Sequence, residues 1–347
     1  MEPAATETLL RRRTLFHSSQ QAHKPLLLFR KNATFAEERQ LLVETDMPAW
    51  YQHTPYILTG YRRIQHSLMG CLESLRYLHN ESVNFYTHAL GAIIFSLLQL
   101  HTHYTVLNND ASTSAMSDSI VFGVFHFSAV FCLTMSAQFH LFCCHSQGVQ
   151  RACMKCDYVG IVVLIVGSMF CSMYYGGPIW FLVEGGVSLM LFLHEGLYCY
   201  PRMQVLYMGI TALAGVVTIF INTSEHFAGT NYRPLRTMLF ISIGLLGLIP
   251  IAHAMISLDD TMETLLLSVS APNIALEAFS YLFGATLFLF HIPEAWYPGY
   301  FDYWFHSHQI FHVAVLFGAW FHRAGLLEAF LWRKGFADGS MGCRAEK

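Results

Sequence analysis

Long stretches without Asp, Glu, Lys or Arg alternate along this chain with short polar connections. They run from Ser82 to Asn109, from Ser119 to the residue before Arg151, and from Tyr158 to Val183; three more run from Met203 to Ser224, Thr237 to Leu258 and Tyr303 to His322. Each reaches the roughly 20 helical residues needed to cross a hydrocarbon core of about 30 Å. A seventh apolar stretch, Ile274 to Pro293, carries one acid, Glu277. The pattern predicts an all-α integral membrane protein built as a seven-transmembrane helix bundle over residues 81–325. Before it lies a cytosolic N-terminal region, 1–80, whose first 45 residues read as disordered, and after it a tail, 326–347.

One further apolar segment, Pro178 to Cys199, is interrupted by Glu184 and closed by Glu195. A carboxylate facing lipid costs about 3 kcal/mol on insertion scales. The expectation is an extra insertion near 177–196 that does not span. It re-enters, lies in the interface, or is a retained intron, and its two acids are assigned no catalytic role.

Composition supports the membrane reading. Of the 347 residues, 12 % are charged and 54 % hydrophobic, whereas soluble domains carry about twice that charged share. A soluble enzyme, a nucleic-acid binder and a small disulfide scaffold are excluded, and no nucleic-acid partner is expected. The apolar patch Leu26–Phe29 is too short for a signal-peptide core, so the first span is expected to insert as an uncleaved anchor. Arg11, Arg12, Arg13, Lys24, Arg30, Lys31, Arg39, Arg62, Arg63 and Arg76 all precede it. Arg151 and Lys155 lie in the second connection, while 101–118 and 258–270 have no Lys or Arg. This alternation predicts an N-in/C-out topology, with Arg323 at the end of the last span and Arg333, Lys334, Arg344 and Lys347 in the tail opposing it. The sequence does not distinguish the plasma membrane from endomembranes.

The nine cysteines show no extracellular disulfide spacing. Cys143, Cys144, Cys153 and Cys156 fall together, and Cys153–Cys156 is a CxxC. It reads either as a structural zinc or redox pair, or as reduced thiols or acylation sites at the bilayer edge.

Histidine is the informative residue type, with 19 copies, since polar groups at membrane depth are functional candidates. His308 and His312 are four apart at the start of the last span, so both rings can reach one ion from one helix face. The second span ends with Ser136 and His140 one turn apart, and the third opens with Asp157. With seven spans, these positions share the cytosolic side. Three imidazoles plus a water make an open zinc site of catalytic type, with Asp157 taking a proton or orienting the water. The competing readings are histidines hydrogen-bonded to neighbouring helices and an interfacial carboxylate bonded to nearby hydroxyls. Glu81, Asn84, Thr87 and His88, at helical spacing where span one begins, read as packing and capping.

Several ordered motifs carry a resemblance. They are Pro55–Arg62; Asn80–His88; Ser136 through His140; Asp157-Tyr-Val-Gly-Ile161; and Ile292-Pro293-Glu294 through Phe301-Asp-Tyr-Trp304 to Ser307–His312. Together they cover most of residues 50–325, and they resemble the progestin and adipoQ receptor family, which includes adiponectin receptors, haemolysin III proteins and fungal Izh proteins. The resemblance implies a zinc ion (Zn2+) near the inner face, bound by His140, His308 and His312, with Asp157 beside the bound water. It also implies lipid chemistry: ceramide amide hydrolysis, hormone or sterol sensing, or zinc and sterol homeostasis. The chain departs from the family at His291, Ala295 and Tyr300, where relatives carry basic residues. It departs again at His53 and Thr54, which replace an acidic pair, and at the insertion near 177–196.

The expected function is therefore a membrane receptor or hydrolase that cleaves a lipid amide such as a ceramide. Asp157 and Ser136 would be its catalytic residues, the latter steadying the oxyanion or the water. The alternative is a non-catalytic zinc-stabilised receptor or homeostasis regulator. Expected partners are a ceramide- or sterol-like membrane lipid and a protein ligand or cytosolic partner.

Overall fold

The computed structural model describes residues 41–52, 54–107, 116–175, 201–227, 232–250 and 270–335. The insertion near 177–196, with Glu184 and Glu195, and the far end of the tail lie outside the described residues. A short helix α1 (Leu68–Glu73) precedes seven long ones: α2 (Ser82–His101), α3 (Met116–Phe142), α4 (Gln147–Tyr175), α5 (Pro201–Thr223), α6 (Arg233–Leu245), α7 (Ala271–Phe290) and α8 (Ser307–Gly335). A π-helical turn, Thr102–Leu107, extends α2, and the span containing α6 runs on to Pro250. Seven helices are thus long and apolar enough to cross a membrane, and the chain is a multi-pass integral membrane protein. At 1.5 Å per residue even the shortest span, 18 residues, covers about 27 Å.

Apolar composition locates the spans but not their ends, because a helix continues past the hydrocarbon wherever its backbone bonds are satisfied. Helix α4 begins at Gln147, so Asp157 sits in its third turn instead of opening it. The extra turns project Arg151 and Lys155 toward Glu225. Helix α3 likewise starts before Asp118, which is buried and accepts a hydrogen bond from the Tyr175 hydroxyl at 3.0 Å. Pro272 lies in the first turn of α7, where its missing N–H costs nothing.

Helices α3, α4 and α8 form the buried centre, and α2, α5, α6 and α7 surround it. The central packing includes Phe122, Phe125, Leu133, Leu164, Tyr175 and Phe330. Large apolar side chains such as Leu90, Leu97, Leu213, Phe220 and Phe279 face outward, as bilayer contact requires. Gly160 lets α4 approach α3: a Cβ there would lie 3.0 Å from the Cys132 Cα. Small residues commonly serve this purpose where membrane helices cross closely.

Helix α5 runs antiparallel to α4, with Gly215 against Val162 and Val166 and Glu225, beyond its end, against Lys155 near the start of α4. Whatever path the intervening insertion takes, its flanking helices therefore keep the alternation of the bundle, and α8 returns His308 and His312 to the level of His140.

Residues 42–62 pack across that end of the bundle. Leu42 pairs with Tyr61, while Met47, Tyr51, Ile57 and Tyr61 bury against Phe139, Leu141, Cys143 and Cys144. Met47, Tyr51 and Ile57 thus turn their side chains toward the helices. Arg62, fully buried, donates to the carbonyls of His140 (2.6 Å) and Leu141 (3.0 Å) and to Ser74 Oγ (2.9 Å). The last carbonyls of a helix have no intrahelical donor, so Arg62 caps α3 at the residues that matter most for the site.

Candidate metal centre

The centre is held from three sides. Helix α3 supplies Ser136 and His140 one turn apart, α4 supplies Asp157, and α8 supplies His308 and His312. Close α3–α4 packing at Gly160, one turn beyond Asp157, and Cys132, one turn before Ser136, sets the first two surfaces together. Ser136 and Asp157 are both buried.

The start of α8 is fixed by residues of the long sequence signature. Glu294 accepts from the Ser307 amide (2.7 Å) and from the Ser307 hydroxyl, a carboxylate at a helix N-terminus where orphan amides and the helix dipole favour it. Gln309 accepts from the Phe305 amide (2.6 Å) and donates to the Tyr303 carbonyl (2.9 Å). Asp302 accepts from the amides of Leu58 (3.0 Å) and Thr59 (2.8 Å) and from the Thr59 hydroxyl (2.6 Å). Gly60, at φ +84°, packs against the Tyr303 ring beside this clamp, a backbone conformation that side chains resist. The segment at 55–62 and the signature before α8 are therefore two halves of one contact.

His140, His308 and His312 each present a ring nitrogen, and these nitrogens all lie within 4.8 Å of one another. The His140 ring lies 4.9 Å from that of His308 and 4.7 Å from that of His312, centroid to centroid. Outward nitrogens are engaged: His140 Nδ1 meets Glu81 Oε2 at 2.7 Å, and His312 Nδ1 meets the Asn84 carbonyl at 3.1 Å. His140 Nε2 is buried without a hydrogen-bond partner. His140, tied through Nδ1 and bare at Nε2, has the arrangement that metal-ligating histidines adopt, and with His308 and His312 it forms a donor set suited to a divalent cation such as zinc. Among the described residues this is the one His/Cys/Asp/Glu group so arranged.

The face of α2 read as packing and capping also orients the ligands. Glu81 takes hydrogen bonds from Asn84 Nδ2 (2.7 Å) and His140, and Thr87 Oγ1 lies 3.4 Å from His312 Nδ1. His88 stacks on His312 with centroids 3.6 Å apart and planes within 7°. The 81, 84, 88 spacing was visible in the sequence; its partners on α3 and α8 were not. Just before α2, His79 is buried, and burial together with the neighbouring Arg62 charge pushes its pKa down to about 3. Among the described residues the cysteines take no part: Cys143 and Cys144 are buried under residues 42–62, and Cys153 and Cys156 lie on α4, the latter exposed.

Residues 76–323 match the family described as haemolysin-III related. The chain is 31 % identical over 84 % of its length to the adiponectin receptor protein of Drosophila melanogaster, covering 60 % of that protein. It is 33 % identical over 86 % of its length to heptahelical transmembrane protein 1 of Arabidopsis thaliana, covering 83 %. With the ADIPOR-like receptor IZH2 of Saccharomyces cerevisiae the identity is 32 %, over 84 % of each chain. The chain spans 60 % of the fly protein and 62 % of a nematode relative, progestin and adipoQ receptor-like protein 1 of Caenorhabditis elegans.

Proposed function

We propose, from the premise that this chain belongs to the haemolysin-III-related family, that its three converging histidines hold zinc and that it hydrolyses a lipid amide such as a ceramide. The observation carrying this reading is the convergence of His140, His308 and His312, whose ring nitrogens lie within 4.8 Å of one another, with buried Ser136 and Asp157 on the adjoining α3 and α4. Zinc on three imidazoles would leave a position for water, make that water acidic near neutral pH and polarise an amide carbonyl.

The chain's own groups supply the rest. Asp157 takes a proton from the attacking water and returns it to the departing amine as the C–N bond breaks. The Ser136 hydroxyl donates to the oxygen on which charge develops. Glu81 holds the His140 ring in place, and apolar faces of the bundle hold the acyl chain beside the reacting carbonyl. In this reading the N-terminus and residues 1–80 are cytosolic, residues 81–325 form the membrane domain, and the segment 326–347 is an outer tail. The test is fatty-acid release from ceramide by purified protein. Asp157→Asn is expected to lose roughly 10²- to 10⁴-fold in rate while keeping its metal; equal rates would exclude the mechanism.

A second reading is favoured by the extent of the contacts made by residues 42–62 on the ligand-bearing helices. In it, zinc is structural, and signals pass between the centre and a cytosolic partner, or from a protein or sterol-like ligand. Chelation would then lower the melting temperature of a protein that shows no turnover.

A further inference from the structure

A second pair of reactive side chains lies beneath residues 42–62, apart from the histidines. Cys71 on α1 and Cys144 just beyond α3 are 73 positions apart in sequence, yet their sulfurs are 3.6 Å apart and share a hydrogen bond. The backbone is already joined beside both. The Gln65 amide donates to the Cys144 carbonyl (2.9 Å) and the His66 amide to the His145 carbonyl (3.0 Å). Cys143, the nearest competitor, is turned away, with its sulfur 3.1 Å from Arg62 Nη2.

We propose that Cys71 and Cys144 form a redox modification site, a dithiol that peroxide closes to an intramolecular disulfide fastening α1 to the end of α3. An S–S bond is about 2.05 Å long, so the sulfurs need approach by only about 1.5 Å. The hydrogen bond from Cys71 and the charge of Arg62 bring the Cys144 thiol down to about 7 and leave Cys71 raised, the division expected of an attacking thiolate and its proton-bearing partner. The pair is buried, while Leu68, Met69 and Leu72 on the same six-residue α1 are exposed.

In the first step the Cys144 thiolate attacks a peroxide oxygen, the O–O bond breaks, and the departing hydroxide takes a proton to leave as water. The Cys71 sulfur, giving up its proton, then attacks the Cys144 sulfenic sulfur, breaking the S–O bond and releasing a second water. Two electrons pass from the two thiols to the peroxide. The product ties down the turn that carries the Arg62-capped carbonyls, four residues beyond His140.

The experiment is peptide mapping of the full-length protein in detergent after graded hydrogen peroxide, with free thiols blocked before digestion. The expected result is a linked peptide containing Cys71 and Cys144 that dithiothreitol removes. It should persist in Cys143→Ser and Cys156→Ser and vanish in Cys144→Ser. Exposed Cys156 serves within the same sample as the measure of oxidant delivered. Cys156 oxidised while Cys71 and Cys144 remain alkylatable would overturn the proposal, as would Cys144 linked to any cysteine other than Cys71.

Discussion

Glu81 Oε2 lies 2.7 Å from His140 Nδ1 with both side chains buried, so a carboxylate at the start of α2 aims an imidazole presented by α3. Such outer partners typically govern metal affinity by 10- to 100-fold. Glu81→Gln is expected to weaken metal retention by about that factor without unfolding the protein. Competition against graded chelator measures it, and an unchanged affinity would remove the orienting role.

Asp302 gathers three donors from Leu58 and Thr59 across 243 and 244 sequence positions. Hydrogen bonds to a charged group are worth roughly 1.5–3 kcal/mol each, and two amides are left without their acceptor when it is removed. Asp302→Ala should destabilise by about 3 kcal/mol, with Asp302→Asn intermediate, in thermal melts of detergent-solubilised protein.

Gly160 has no room to grow. A side chain would press on the α3 backbone at Cys132, where yielding is costly, and overpacking typically costs about 1–3 kcal/mol. Gly160→Val is expected to lower the melting temperature and, by parting Asp157 from Ser136, to reduce any turnover. On the same helix Gly148 has nothing within 4 Å of its Cβ position. Gly148→Ala should be neutral or stabilising by up to about 1 kcal/mol.

His79 predicts a pH dependence. Its pKa of about 3 in the fold lies below the unfolded value of about 6.5. The unfolded chain therefore binds the extra proton between these values, and stability falls as pH drops through that window. The loss should reach about 2 kcal/mol by pH 5, since each pH unit below 6.5 contributes roughly 1.4 kcal/mol. Melts of chelator-treated protein at pH 7.5 and 5.0 measure it, and His79→Gln should narrow the difference by about that amount.

Much of the bundle was legible because bilayer-spanning helices announce themselves by unbroken apolar length, and the i, i+4 pairs Ser136/His140 and His308/His312 fix which rings share a face. The ends were less legible. Arg151 and Lys155 mark the limit of the hydrocarbon, whereas α4 ends where its hydrogen bonding ends, and this moved Asp157 into the helix interior. Partner identity was the least legible, since nothing near Glu81 in sequence names His140 and nothing near Cys71 names Cys144. Asp302 illustrates the same gap: its motif was conspicuous, but its role as acceptor for Leu58 and Thr59 exists only once the two ends of the chain meet.

That meeting has a consequence for biosynthesis. The centre draws His140 from the third helix and its other two imidazoles from the last, and Asp302 and Glu294 set the last helix in place. A nascent chain inserted only as far as α7 offers one of these three imidazoles, so a metal held by all three would be captured only after α8 has left the ribosome. Occupancy of the centre would then report that the last crossing had joined the earlier ones, and would tell finished chains from truncated ones.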